Sequence, residues 1–141
     1  MATEDFFSSA VRHFEDSLRL HAAGRSDEAA YLAGYVIECG LKKLLEVQRG
    51  KSARAYGHDL QGMIGPGLAL AALLSPASAR YRVDMIPLLA QAMSYWRPEL
   101  RYWTTGDVRI EAATLMLGVA TGVMRDVLLA LILDGNESAL R

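Results

Sequence analysis

The sequence predicts an all-α fold, an up-and-down bundle of about five helices forming one domain over residues 1–141. Three observations carry that prediction. Apolar residues recur at helical spacing near the N-terminus, two long segments are apolar enough to be central helices, and no segment alternates with the period of a strand. Neither an internal repeat nor a low-complexity tract interrupts the chain.

The first helix is expected from Glu4 to Ala23, with Thr3 as N-cap and Glu4 and Asp5 suited to the helix dipole. Phe7, Ala10, Val11, Phe14, Leu18 and Ala22 make one apolar stripe. Gly24 ends the helix as a C′ glycine, and Ser26 caps the next, with Asp27 and Glu28 in its first turn. So short a connection makes helices one and two an antiparallel hairpin.

The second helix is expected from Asp27 to Gln48. Its centre, Ala29 to Ile37, is apolar on every face, which marks a central helix. Gly34 and Gly40 let other segments approach it closely. Arg49 to Gly57 reads as a loop. His58-Asp59-Leu60 opens a short helix, which Gly62, Gly65, Pro66 and Gly67 break up. Ser75-Pro76 starts another short helix, and Pro87 separates off an element from Met85 to Tyr95. Trp96 to Trp103 reads as irregular. Thr104 and Asp107 have a capping-box-like spacing before a last helix from Asp107 to Leu133, which Gly135-Asn136 stops.

A chain of 141 residues buries roughly two-thirds of its unfolded surface, enough for a core without staples. With 52% hydrophobic and 22% charged residues the composition is globular. A net charge of −1 argues against a strongly cationic nucleic-acid binder, while leaving room for a local basic patch. Cys39 is the only cysteine, so no intramolecular disulfide and no cysteine zinc site is expected. No metal and no cofactor is expected either. The acidic N-terminus lacks a signal-peptide pattern, which predicts a cytoplasmic protein. Ile110 to Leu133 is apolar and would run about 36 Å as a helix. Glu111, Arg125 and Asp126 interrupt it without an aromatic belt, so a core helix is expected rather than a membrane span.

Glu38 is the residue most out of place, a carboxylate within about one helical ridge of Gly34, Leu41 and Leu45. Buried, it must find partners, and Lys42 at i+4 and Arg101 are the candidates. Two readings stand: an ion pair that fixes helix two against the segment before the last helix, or an acid that orients a ligand-binding or catalytic arginine. Trp96 to Trp103 also reads two ways. Its arginines and aromatics either grip a phosphate or base, or Trp96, Leu100 and Tyr102 plug the bundle end while the arginines snorkel. His21 lies on the apolar stripe and His13 to its side, as core or edge residues. Gly118 and Gly122 mark a close helix crossing, within the chain or across a dimer.

Tyr31-Leu32-Ala33-Gly34-Tyr35, Glu38, Leu41-Lys42, the Gly57-His58-Asp59-Leu60 turn, His13-Phe14-Glu15-Asp16-Ser17 and the later Arg101-Tyr102 together resemble the prokaryotic HEPN family. The resemblance covers about Val11 to Tyr102 and implies a HEPN-like helical bundle. Members often dimerise. Many are ribonucleases acting as toxins or in phage defence, and others bind nucleotides or partner nucleotidyltransferases. The ribonucleases carry an arginine and a histidine with four to six residues between them. Here no histidine follows Arg101, where Thr105, Gly106, Asp107 and Val108 stand, and Arg54 and His58 are too close together and elsewhere. The resemblance therefore implies a module that binds a nucleotide, RNA or a partner protein without catalysis, within a toxin–antitoxin or defence system. The alternative is a metal-independent ribonuclease toxin with an atypical site. Expected partners are a second copy and a nucleotidyltransferase-type protein, with no membrane. The expected polar cluster is Glu38, Lys42, His58, Asp59, Arg97, Arg101 and Tyr102, for ligand binding or structure.

Overall fold

The computed structural model describes residues 4–49, 53–58, 63 and 88–135, and all regular structure among them is helical. The helices are α1 (Phe6–Ala22), α2 (Ser26–Arg49), α3 (Leu89–Tyr95) and α4 (Ile110–Leu133). Short 3-10 turns lie at Arg54–Tyr56 and Pro98–Tyr102. The short helices expected at Asp59-Leu60 and Ser75-Pro76 fall outside the described residues.

Asp5, not Thr3, is the N-cap of α1; its Oδ1 accepts the Ser8 N–H at 3.0 Å, and Thr3 lies outside the described residues. The buried face also differs from the expected stripe. Phe7, Ala10 and Ser17 are buried and Phe14 is half-buried, whereas Leu18 is 43% exposed and Ala22 is exposed. Steps of three and four hold 7, 10, 14 and 17 on one face, and position 18 lies about 100° round from 17. Ser17 is tolerated there because its hydroxyl donates to the Ala29 carbonyl at 2.7 Å. Gly24 adopts φ +76, and Arg25 N–H reaches back to the Leu20 carbonyl at 2.8 Å, a Schellman-type stop that turns the chain straight into α2.

The central role expected of α2 holds, with α1 and α4 packed against it. Ala33, Val36, Ile37, Leu41, Leu44 and Leu45 are buried along it. Gly40 gives room to Val123 of α4, and Gly34 gives room to the Trp96 indole, so a β-carbon at either position would overlap its neighbour. On α4, Met116, Val119, Ala120, Val123, Val127 and Leu131 face the core. Its most apolar window has a mean hydropathy of 1.9, and half of that window is buried within the chain. A π-helical turn at Met124–Leu129 interrupts α4, and there Arg125 and Asp126 form a two-bond pair at 2.9 and 3.0 Å.

The region before α4 corrects the expected capping box. Helix α4 starts at Ile110, and its N-cap, Arg109, makes no side-chain capping bond. Thr104 to Asp107 forms a reverse turn instead, closed by Asp107 N–H on the Thr104 carbonyl at 3.0 Å with Gly106 at φ +95. Trp96 to Trp103, expected as irregular, contains the 3-10 turn that begins at Pro98.

Candidate functional site

Steps of three and four along α2 place Glu28, Tyr31, Tyr35, Glu38 and Lys42 on one ridge. Apolar residues cover the rest of the helix centre, so this ridge collects its polar chemistry. Glu38 is only 3% exposed. Its Oε2 accepts from Lys42 Nζ at 3.4 Å, and its Oε1 lies 2.7 Å from His58 Nδ1. A carboxylate only accepts, so Nδ1–H donates in that short bond and the His58 Nε2 points away from Glu38. His58 is 52% exposed, which leaves that nitrogen within reach of a ligand. Lys42 also sits over the Phe6 ring, 5.0 Å from its centroid, and is itself buried.

Tyr35 is the hub of an aromatic cluster. Its ring centroid lies 5.0 Å from Trp96, 5.1 Å from Tyr31, 5.6 Å from His13 and 5.8 Å from His58. Trp96 enters because Gly34 leaves space, and its Nε1–H donates to the Tyr31 carbonyl at 3.1 Å. A polar relay crosses the cluster: Arg101 donates to the Tyr31 hydroxyl at 3.4 Å, and Tyr31 donates to the Tyr35 hydroxyl at 3.2 Å. Burial, then the Tyr31 bond, pushes the Tyr35 phenol well above its ordinary value, so Tyr35 keeps its proton and can donate it.

Burial keeps two neighbours uncharged. Burial holds His13 below its ordinary value, reinforced by Arg12 and opposed by Asp16 and Glu38. Burial, helped by Glu38, pushes the Cys39 thiol up to about 12, so it is no nucleophile at neutral pH. His21 is half-buried, and its Nδ1 has no hydrogen-bond partner among the described residues.

Of the residues singled out from the sequence, Glu38, Lys42 and His58 come together. Arg101 joins the same face through Tyr31 and not through Glu38, correcting the second partner expected for that carboxylate. The reason is register: Arg101 reaches α2 two turns before Glu38. Tyr102 is 74% exposed and stacks under the Arg101 guanidinium at 4.7 Å, so only Trp96 and Leu100 of the expected plug are buried. Arg97 is exposed, and Asp59 lies outside the described residues. Tyr31 and Tyr35 were missed as site residues. Stepping back from Glu38 by three and then four would have found them. No group of three or more His, Cys, Asp or Glu side chains able to hold a metal occurs among the described residues.

Set against known proteins, the chain matches no family model, no curated protein and no solved structure.

Proposed function

We propose that the chain is a HEPN-like module that binds RNA or a nucleotide on the α2 ridge without turning it over. One observation carries the reading: Arg101, Tyr31, Tyr35 and His58 follow one another across a single face, a cation, a proton relay and an imidazole beside aromatic rings. Guanidinium and phenol donors suit phosphate oxygens, and the exposed His58 ring beside half-buried Tyr31 and Tyr35 offers a base a surface to stack on. A net charge of −1 favours few phosphate contacts, hence a short stretch of strand. The same reading includes a cytoplasmic homodimer that serves a toxin–antitoxin or defence system with a nucleotidyltransferase-type partner. The test is fluorescence anisotropy with a labelled single-stranded RNA. Arg101→Ala should weaken binding about tenfold or more, the range for a charged hydrogen bond. Equal affinity in wild type and variant, or none in either, sinks the reading. Light scattering that gives a strict monomer at high concentration removes the dimer.

The 2.7 Å contact between Glu38 and His58 favours a second reading, a metal-independent ribonuclease. His58 Nε2 would take the proton of a 2′-hydroxyl as it attacks the adjacent phosphorus, with Arg101 on the phosphate; a 2′,3′-cyclic phosphate forms and the 5′-oxygen leaves with a proton from water. Cleavage of RNA that disappears in His58→Ala supports this reading. RNA left intact by a large excess of clean protein rejects it.

A further inference from the structure

Beyond the ridge, we propose that the turn after Trp103 and the start of α2 form a cleft for a nucleoside 5′-monophosphate group, free or at the end of a strand. The proposal rests on the binding reading above and assigns it a specific ligand moiety. The cleft encloses about 200 Å³ between Arg25 and Glu28 on one side and Arg101, Trp103 and Thr105 on the other. Pockets for drug-sized ligands run from about 300 Å³ upward, so this one accommodates a phosphate and ribose with the base lying outside.

The lining supplies a group for each part of that ligand. Arg25 is exposed and makes no ion pair with a carboxylate among the described residues. Among the described residues Arg101 bonds only to neutral acceptors, the hydroxyls of Tyr31 and Tyr102. Two guanidiniums lining one small cleft suit the oxygens of a phosphate, and the Thr105 hydroxyl adds a donor. Asp27 also lines the cleft, with its two oxygens turned to the N–H groups of Gly106 at 3.0 Å and Val108 at 3.2 Å. Glu28, exposed and part of the same lining, supplies an acceptor for ribose hydroxyls. Trp103 is 39% exposed and lines the cleft, and Tyr95 packs perpendicular to it at 6.1 Å, so the indole offers a base a stacking partner. The Asp27 bonds and the Gly106 turn hold the far wall in place before any ligand arrives.

The experiment is calorimetry on the full chain with AMP, inorganic phosphate, and one RNA oligonucleotide carrying either a 5′-phosphate or a 5′-hydroxyl. AMP should bind at least tenfold more tightly than phosphate. Arg25→Ala should weaken AMP at least tenfold and Trp103→Ala about fivefold, with helicity unchanged because both residues are exposed. Arg125→Ala, a charge-matched change on α4, should leave AMP affinity within twofold. A 5′-phosphorylated strand binding more tightly than its 5′-hydroxyl form identifies the strand-end version. Equal affinity of the two strands, with AMP still bound through Arg25, identifies the free-nucleotide version. AMP that fails to bind, binds no better than phosphate, or ignores Arg25→Ala overturns the cleft. Binding of the 5′-hydroxyl strand that still depends on Arg101 would then leave the ridge reading standing. If the strand also fails to bind, both readings fall.

Discussion

Asp27 and Glu38 stand on the same helix, and each ties α2 to a segment beyond it, but in opposite surroundings. Asp27 is half-buried and holds two backbone N–H groups of the Gly106–Val108 turn. Glu38 is almost fully buried and is held by two side chains, Lys42 and His58. Amide partners are neutral and fixed by the backbone, so the Asp27 bonds are local hydrogen bonds of modest net worth. A buried carboxylate needs cationic neighbours, so removing it leaves Lys42 buried without its counter-charge. The comparison teaches that burial, more than the number of bonds, decides how much each carboxylate matters.

The largest expected effect tests that lesson directly. Glu38→Ala should lower the unfolding free energy by about 3–5 kcal/mol, because it strands the Lys42 ammonium. Urea titration measures it, and a loss under 1 kcal/mol would show that Lys42 simply moves into solvent. Between the two carboxylates, Gly34→Ala drives a methyl group into the Trp96 indole and should cost about 1–3 kcal/mol, with a visible change in tryptophan fluorescence. Asp27→Ala should cost about 1–2 kcal/mol. Hydrogen exchange at Gly106 and Val108 should quicken while α4 stays protected; protection lost equally along α4 would mean that Asp27 holds more than the turn. The smallest effect is a pH dependence at His13, whose surroundings include Arg12, Asp16, Glu38 and Tyr35. Its folded-state pKa lies below the ordinary 6.5, so the unfolded chain takes up the proton first. Stability should be complete above that value and fall as pH drops through and below it. In His13→Gln the decline should be shallower, and identical pH profiles would remove His13 from the account.

Local signals made the first hairpin legible. Helical spacing, Gly24 and the acidic start of α2 lie within a few residues of what they control, and Lys42 is one turn from Glu38. The long, apolar α4 was equally plain. What the sequence hid is long-range. Asp27 reads as a dipole partner for its own helix, since nothing nearby reveals the turn it holds. His58 follows Glu38 across a loop whose path periodicity does not constrain, so Arg101 looked the better partner. Trp96 reads as part of a plug, but its place in the Gly34 notch depends on how α3 returns to α2. Leu18 was misread because a stripe drawn from hydrophobicity alone ignores the 100° step that Ser17 absorbs with a single hydrogen bond.

The same distances set an order of assembly. The Ser17–Ala29 bond closes a loop of 12 residues, while those from α2 to Trp96, Arg101, Gly106 and Val108 span 65, 70, 79 and 81. Closing the longer loops costs roughly 1.5–2 kcal/mol more in chain entropy. The α1–α2 hairpin can therefore form early, and the arginine-bearing segment docks onto it late. On this ordering, Asp27→Ala should speed unfolding and leave the folding rate nearly unchanged in a chevron plot; slower folding would place that dock in the nucleus. A molecule resting across the ridge and the Trp103 turn would then join the last segment to arrive with the first to fold, and its dissociation would be the step that lets the chain begin to open.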